Sequence, residues 1–442
     1  MGKTFISFLG TGNYINCNYY FQTLDNKVDN VKFVQEALLK IFCSDFNEND
    51  KVVIFMTNEA EQKYWDELKN KICWIDAEIK NVIIPFGKSE KEIWDIFDKL
   101  YDSVDYKDEV ILDVTHSFRS LPMLALVFLN YSKSMKNIKI KGIYYGAFDT
   151  LGPRNKVEKM DIKDRNAPIF DLTPFHSLQQ WSIASDNFIT FGNPQKLIEL
   201  MKYSIYSDEN FLSKTSKNII RKQFLPALNN IWEFISTVRG KNIISGEKFI
   251  TLKKHINNLR NKLKGTTPAE KLLMKVQEKF DGFEEDSLKN GIIAVEFCLK
   301  HGMVQQGITI AREIFLSYVM KELELETLAN KPYEIFNTHV NSEKITKNKA
   351  LKKLRELISS IASLMAENRL SELKTNIKTE IVEKIKESKL VNLYCRDFKK
   401  LTDMRNSINH AGITDDIKSR QIGSTLHDFY KNVLCKLKDE VN

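Results

Sequence analysis

The first 150 residues alternate short apolar runs, rich in β-branched residues, with longer stretches whose apolar positions recur every three to four residues. The apolar runs predict five strands at Thr4–Gly10, Lys51–Thr57, Ala77–Pro85, Glu109–Thr115 and Ile138–Gly146. The stretches between them predict helices over Val31–Phe42, Glu59–Lys71, Glu90–Tyr101 and Leu121–Met135. This alternation predicts an α/β domain over residues 1–150, with a parallel sheet covered by helices on both faces.

The pattern changes after residue 150. Residues 151–176 contain Pro153, Pro168 and Pro174 among mixed charges, which predicts an irregular linker between two domains. From Ser177 onward nearly every stretch has helical spacing, so we predict an all-helical domain over residues 177–442. Within it, the Lys-rich stretch 239–289 predicts an insertion or an exposed helical hairpin.

Composition limits the class of protein. Hydrophobic residues make up 43% and charged residues 28% of the chain, which is typical of globular domains and excludes wholesale disorder. The longest apolar run, Leu121–Tyr131, is too short to span a membrane. The six cysteines are scattered, without the paired spacing of a zinc site or a redox dithiol. We therefore expect a soluble, cytoplasmic protein with reduced cysteines and no metal.

The formal net charge of +8 is distributed unequally. Residues 1–176 carry about 23 Lys and Arg against about 26 Asp and Glu, whereas residues 177–442 carry about 43 against about 32. A positive excess in the helical half suits a polyanionic partner such as RNA. A Lys-rich helical surface with no partner would give the same count, so both interpretations remain.

The loop after the first strand is the first candidate site, because ligands of such sheets bind beyond the carboxyl ends of the strands. It consists of Gly10, Thr11, Gly12, Asn13 and Tyr14. Its backbone N–H groups can approach a phosphate, and Tyr14 is available to stack or to form a hydrogen bond. The sequence excludes an ordinary NAD site, because Ile15 replaces the third glycine and the second strand ends at Asn58 instead of an acid. A tight turn with no ligand is the alternative.

The loop after the fourth strand is the second candidate. It groups polar side chains at the start of a helix: Asp113, Thr115, His116, Ser117 and Arg119. Hydroxyls, helix N-terminal amides and an arginine form an anion-binding set. The lack of a cysteine or serine elbow argues against acyl transfer, and a histidine such as His116 more often caps or packs than catalyses. Because both loops face one crevice, we interpret this half as a nucleotide receptor.

The segment LTDMRNSINHAG carries a third candidate site near the C-terminus. Arg405, Asn406 and His410 fall in a predicted helix that Gly412 can end, with Asn406 and His410 about one turn apart on one face. A histidine can move protons for attack of a ribose 2′-OH or for the leaving 5′-oxygen, while an arginine stabilises the phosphorane charge. These residue types suit metal-independent RNA cleavage.

The motif with Arg405 and His410 predicts a dimer, and it also has a non-catalytic interpretation. It supplies one histidine per chain, so a second copy across a two-fold axis would provide the missing acid or base. The loose spacing of arginine and histidine recurs at Arg420 and His427, which we interpret as surface residues. A solvated helix face is the other interpretation of Arg405 and His410.

Five segments together carry a resemblance to a known family: FLGTGNY, DVTHSFRSLP, DLTPFHSLQQWSIASDNFITFGNPQKLIEL, QQGITIAREIF and RNSINH. In this order, along nearly the whole chain, they resemble the CRISPR-associated CARF–HEPN ribonucleases of type III systems, and most closely a branch typified by a Thermotoga protein. The stretch 239–289 has no counterpart. The resemblance implies a Rossmann-like CARF sensor of cyclic oligoadenylate, followed by an all-α HEPN ribonuclease domain that the ligand activates.

The resemblance also implies the roles of particular residues. Arg405, Asn406 and His410 would form the nuclease site of a homodimer, with higher assemblies left open. Cyclic tetra-adenylate is the expected activator, cyclic hexa-adenylate is the second choice, and no cofactor is required. The implied ligand contacts are Gly10, Thr11, Gly12, Asn13, Tyr14, Thr115, His116, Ser117, Phe118 and Arg119.

Some points stay open under this resemblance. Ser117 stands where glycine is usual, so neither ring size nor ring cleavage is decided. Gln306, Arg312 and Glu313 either border the nuclease cleft or are structural polar residues. Two other functions also remain: a non-catalytic sensor whose helical half binds nucleic acid or a partner, and a ring nuclease acting at Thr115–Arg119. The helical half has no terminal helix-turn-helix with a β-wing, which argues against the first.

Overall fold

The chain divides into two compact units, Met1–Gln179 and Gln180–Asn442. The structure is a computed structural model, and it describes residues 2–23, 25–116, 121–206, 214–262, 267–331, 334–336, 346–413 and 417–439. No helix in these ranges is both long enough and apolar enough to cross a membrane. All six cysteines are free thiols, and Cys17, Cys43 and Cys298 are buried.

One eight-stranded sheet forms the N-terminal unit. Its strands are β1 (Lys3–Leu9), β2 (Cys17–Phe21), β3 (Lys27–Val31), β4 (Lys51–Met56), β5 (Glu78–Ile83), β6 (Glu109–Asp113), β7 (Lys139–Gly146) and β8 (Asn166–Asp171). Their order is β3-β2-β8-β7-β6-β1-β4-β5. The β2–β3 and β7–β8 pairs are antiparallel and the other pairs are parallel. The sheet is therefore mixed.

Helices cover both faces of this sheet. They are α1 (Val34–Phe42), α2 (Asn58–Ile72), α3 (Glu90–Asp102), α4 (Leu121–Lys136) and the short α5 (Arg154–Val157). Because successive side chains of a strand point to opposite faces, β1 contributes Phe5 to the core beneath α1 and α2, and Ile6 to the core beneath α3 and α4. The predicted α/β architecture with two covered faces is confirmed.

Three strands were missed, so the expectation of a purely parallel sheet was wrong. β3 is a mostly exposed edge strand with the polar sequence KVDNV, so it lacks the apolar signal of a strand. β8 lies inside the predicted linker, residues 151–176, which is therefore not irregular throughout. Pro168 in β8 argued against a strand, but its carbonyl accepts from Ala147 N–H at 2.9 Å, and a proline disrupts only the bonds that need its missing N–H.

The second unit is helical in its described part. Its helices begin with α6 (Thr173–Phe191), which crosses the division between the units, and continue with α7 (Gln195–Tyr206), α8 (Lys214–Ile219), α9 (Leu225–Ser236), α10 (Gly240–Ser245), α11 (Glu247–Lys262), α12 (Thr267–Glu278), α13 (Lys289–Lys300), α14 (Val304–Glu322), α15 (Leu325–Leu328), α16 (Lys347–Ala366), α17 (Thr379–Lys386), α18 (Lys389–Asn409), α19 (Ser419–Phe429) and α20 (Cys435–Asp439). The central helix is α14, which packs against α13, α16, α18 and α19.

The Lys-rich stretch 239–289 is part of the helical core, and the prediction of an exposed hairpin was wrong. Phe249, Leu252, Ile256 and Leu259 of α11 are fully buried, and Phe249 stacks on Phe283 with ring centroids 3.8 Å apart. The prediction weighted the many lysines and not this apolar stripe. The three- and four-residue spacing of the stripe is that of a helix with one buried face.

Candidate functional site

Hydrogen bonds hold together the carboxyl ends of three neighbouring strands in the N-terminal unit. The buried carboxylate of Asp113, at the end of β6, accepts from Ser7 Oγ of β1 at 2.6 Å. It also accepts from Thr115 N–H at 2.9 Å and from Thr115 Oγ1 at 2.5 Å. Thr115 Oγ1 in turn accepts from Gly146 N–H, at the end of β7, at 2.8 Å. Burial raises the pKa of Asp113, and the bonds from Ser7 and Thr115 act against that rise.

Tyr14 closes the turn that follows β1. Its hydroxyl accepts from Gly10 N–H at 2.9 Å and donates to Gly10 O at 3.1 Å. Its ring lies 5.0 Å from Phe33, 4.9 Å from Tyr64 and 4.8 Å from His116, measured between ring centroids. Burial raises the Tyr14 pKa well above its ordinary value. The half-buried Tyr14 ring thus packs against three other rings and its hydroxyl closes the turn, while its contact with a ligand stays a prediction.

Neither the backbone conformation nor the packing of the fold requires glycine at positions 10 and 12. Neither has a positive φ. A Cβ on Gly10 would meet His116 O and the Tyr14 hydroxyl at an ordinary 3.6 Å, and a Cβ on Gly12 would have no neighbour within 4 Å in the described part of the chain. Gly146 differs, because a Cβ there would lie 2.4 Å from Val34 Cγ2 of α1. The space above Gly12 is thus open to a ligand.

His116 lies against Tyr14 at the edge of the crevice. Its ring meets the Tyr14 ring edge-on, at an interplanar angle of 87°. Its Nε2 is buried and has no hydrogen-bond partner among the described residues. Burial lowers the His116 pKa to about 4, so the ring is neutral at pH 7. The neighbouring predicted contacts Ser117, Phe118 and Arg119 lie outside the described residues.

Lys63 is a crevice residue that sequence reasoning missed. It lies on α2, and its Nζ donates to Thr11 O at 3.0 Å and to Asn13 Oδ1 at 3.1 Å. It is exposed, and no carboxylate pairs with it in the described part of the chain. Its partners come from a loop about 50 residues earlier, so only the pairing of β1 with β4 brings them together. The signal available in the sequence was a basic residue early in the helix that follows the second predicted strand.

The predicted helix around the third candidate site is present as α18. Ser388 Oγ accepts from Val391 N–H at 3.1 Å and so caps its N-terminus. At its other end Ala411 and Gly412 have φ values of 55° and 65°, and Gly412 N–H donates to Ser407 O at 2.9 Å. The helix ends at Asn409, which leaves His410 at the C-cap position.

Arg405, Asn406 and His410 lie together at this helix end. Arg405 is half-buried, while Asn406 and His410 are exposed. Arg405 Nη1 donates to Asn406 Oδ1 at 3.3 Å. With the Asn409 amide oxygen turned toward Arg405, it accepts from Arg405 Nε at 3.1 Å and from Nη1 at 2.9 Å. Two amides therefore orient the guanidinium, and in the described part of the chain no carboxylate neutralises it.

Arg312 and Glu313 of α14 form a network with Arg355 of α16. Glu313 pairs with Arg312 Nη1, and its Oε2 accepts from Arg355 Nε at 3.1 Å and from Nη2 at 2.8 Å. Gln306 lies elsewhere on α14 and donates to Ser236 O at 3.5 Å. Sequence reasoning missed Arg355, because it lies 42 residues from Glu313 in a Lys-rich helix with no motif.

Two comparisons with known proteins give matches, and the first falls within the N-terminal unit. Residues 4–149 match the family model described as CRISPR system endoribonuclease Csx1, CARF domain. The CRISPR-associated protein MJ1674 of Methanocaldococcus jannaschii is 35% identical over 162 residues, which cover 33% of this chain and 24% of the relative. The chain therefore spans about a quarter of the curated relative it matches. The CARF part of the resemblance is confirmed, while the HEPN domain and the Thermotoga branch remain predictions.

Proposed function

We propose that the N-terminal unit binds a cyclic oligoadenylate and that the helical unit is a single-strand endoribonuclease, independent of metal, which this ligand activates in type III CRISPR defence. The observation that carries the proposal is the match of residues 4–149 to the CARF domain of an endoribonuclease family, in a chain that also has Arg405, Asn406 and His410 at one exposed helix end. Cyclic tetra-adenylate is the activator that we favour, before cyclic hexa-adenylate.

Three features of the crevice support the receptor. The open space above Gly12 lets a phosphate approach the backbone, and the Asp113–Thr115–Gly146 network fixes the strand ends around it. Lys63 adds a positive charge without a carboxylate partner in the described part. The N-terminal unit has a slight acidic excess, so affinity for a cyclic anion would come from these placed groups and not from net charge.

The end of α18 supports the nuclease. In the reaction that we propose, the ribose 2′-oxygen attacks phosphorus as it loses its proton, and the 5′-oxygen leaves as it gains one. His410 would carry one of these proton transfers, and Arg405 would stabilise the charge that develops on the phosphoryl oxygens. The products would end in a 2′,3′-cyclic phosphate or a 3′-phosphate.

We propose that the active form is a homodimer. Acid–base cleavage uses two proton-transfer groups, and the motif supplies one histidine per chain. The N-terminal unit also has an apolar stripe on α4, with one residue every four positions and exposed fractions of 76%, 58%, 46% and 53%: Met123, Val127, Tyr131 and Met135. Such a stripe suits burial against a second copy.

The experiment is RNA cleavage by the full chain in excess chelator, with a fluorescent single-stranded RNA, in the presence or absence of cyclic tetra- and hexa-adenylate. We expect cleavage to be stimulated by a cyclic ligand and to persist in chelator. Absence of cleavage with either ligand, together with retention of duplex DNA in a gel shift, would replace the proposal with the non-catalytic sensor. Conversion of the labelled ligand to a linear product would add ring-nuclease activity.

A further inference from the structure

Two arginines from two helices pair with one glutamate in the helical unit, and a third arginine lies on α18, which packs against both of these helices. Arg312 lies on α14, Arg355 on α16 and Arg405 on α18. Glu313 pairs with Arg312 and Arg355, as described above. Arg405 is held by amides and has no carboxylate partner among the described residues. These four side chains thus carry an excess of two positive charges.

Arg312 is more deeply buried than Arg355, whose side chain is 26% exposed. The Arg312 side chain is 16% exposed, and its Nη2 donates to Ser359 Oγ at 2.9 Å. Its guanidinium carbon lies 5.8 Å from the ring centroid of Phe398, a fully buried residue of α18, the helix that carries Arg405. Its Nε is buried and has no hydrogen-bond partner in the part of the chain that the structure describes. Arg312 is therefore a fixed cation with one unused donor.

Arg312 contacts the face of α18 that carries Arg405, because Phe398 and Arg405 are seven residues, or about two helical turns, apart. Burial is the main cause that lowers the Arg312 pKa, Glu313 opposes it, and the positive charges of Arg405 and Arg355 lower it further. Uncompensated like charges in a partly buried place are unfavourable, and an anion bound there would relieve the repulsion. A phosphodiester is an anion that an arginine fork recognises well.

We infer that Arg312 is a positioning residue for RNA cleavage: it supplies a second, fixed positive charge behind Arg405, and Glu313 and Arg355 hold it in place. This inference rests on the proposed ribonuclease function. As the bond from the 2′-oxygen to phosphorus forms and the bond to the 5′-oxygen breaks, negative charge grows on the phosphoryl oxygens. A cation that is already in place stabilises the transition state more than it stabilises the bound substrate. It therefore raises kcat more than it lowers KM.

The test compares Arg312→Gln, which removes the charge, with Arg312→Lys, which keeps it. With saturating cyclic tetra-adenylate, we expect Arg312→Gln to lower kcat by about 10–100-fold with KM changed by less than about threefold. Arg312→Lys should recover most of the lost kcat. Arg369→Gln is the matched control, because Arg369 is an exposed arginine already paired with Glu367 and Glu372. It should cleave like the wild type.

A second variant separates charge from packing. Glu313→Gln removes the only negative charge of the cluster, so it should tighten RNA binding and steepen its salt dependence, while kcat falls because Arg312 is no longer fixed. Binding is measured in the His410→Ala background. If Arg312→Lys and Arg312→Gln lose the same amount of kcat and both have a lowered Tm, Arg312 contributes only to packing. If Arg312→Gln keeps the wild-type kcat, the inference is overturned. Failure of the proposed function itself looks different, because then the wild type does not cleave RNA.

Discussion

The strand-end crevice and the end of α18 differ in how firmly their polar groups are held. In the crevice, Asp113 and Thr115 make hydrogen bonds to other strands, and the Tyr14 hydroxyl closes its own turn. At the end of α18, Asn406 and His410 are exposed, and among the described residues Arg405 is bonded only to asparagines of its own helix. The first region is organised in advance, whereas the second is open.

This difference fits a receptor coupled to a switchable enzyme. A preorganised site binds its ligand without a large cost in ordering side chains. The half-buried Arg405 and the exposed His410 of one chain supply a single proton-transfer group, so activity would depend on how a partner copy is held. A ligand shifts such an equilibrium only through a difference in affinity between its states.

The largest effect is expected at His410. His410→Ala should reduce stimulated RNA cleavage by about 10²–10⁴-fold, because general acid–base catalysis contributes roughly that much. Initial rates with fluorescent RNA measure this, and calorimetry should give an unchanged ligand affinity. His427→Ala is the control, since His427 belongs to the other loose match to the arginine–histidine spacing. If His410→Ala cleaves RNA as fast as the wild type, the end of α18 is not the catalytic site.

The next effect concerns the exposed stripe of α4. Val127→Arg places a charge at the 58%-exposed centre of the stripe, so it should disfavour a dimer that buries this face. We expect a smaller mass by light scattering and about 10–100-fold slower cleavage at equal concentration. Asn70→Arg adds the same charge at an exposed position of α2 and should change neither. An intact dimer in Val127→Arg would show that another face joins the copies.

A smaller effect is expected at Lys63, the exposed lysine beside the turn that follows β1. Lys63→Gln should weaken binding of cyclic tetra-adenylate by about tenfold, since a hydrogen bond to a charged group contributes roughly 1.5 kcal/mol. Lys71→Gln, near the other end of α2, is the matched control and should bind normally. Calorimetry at two salt concentrations measures both, and the affinity of Lys63→Gln should depend less on salt. Wild-type affinity in Lys63→Gln would exclude this lysine from the site.

The parts that the sequence predicted are those set by local pattern. Five apolar runs predicted β1 and β4 to β7, and the rule that ligands bind beyond the carboxyl ends of parallel strands selected the two loops. Gly412 predicted the end of α18 because a positive φ suits glycine.

The parts that were missed depend on contacts distant in the chain. Lys63 meets Thr11 only through the β1–β4 pairing, and Arg355 meets Glu313 only through helix packing. The edge strand β3 buries only Val31 fully and is otherwise stabilised by its pairing with β2, so its composition carries little apolar signal. The apolar spacing that predicts the buried face of α11 is present in the sequence, but the prediction relied on the count of lysines instead.

The smallest effect tests how strongly burial organises the crevice. The His116 pKa is about 4 in the folded chain and about 6.5 when unfolded, so the unfolded chain takes up the proton first as the pH falls. The stabilisation is therefore complete above pH 6.5 and is lost between pH 6.5 and 4, by up to about 3 kcal/mol. His176, with a pKa also lowered to about 4 by burial, adds to the same window. His116→Gln should thus reduce the drop in Tm between pH 7.5 and 4.5 by several degrees. The same drop in His116→Gln as in the wild type would mean that the His116 ring is hydrated, and that the crevice is less preorganised than its hydrogen bonds indicate.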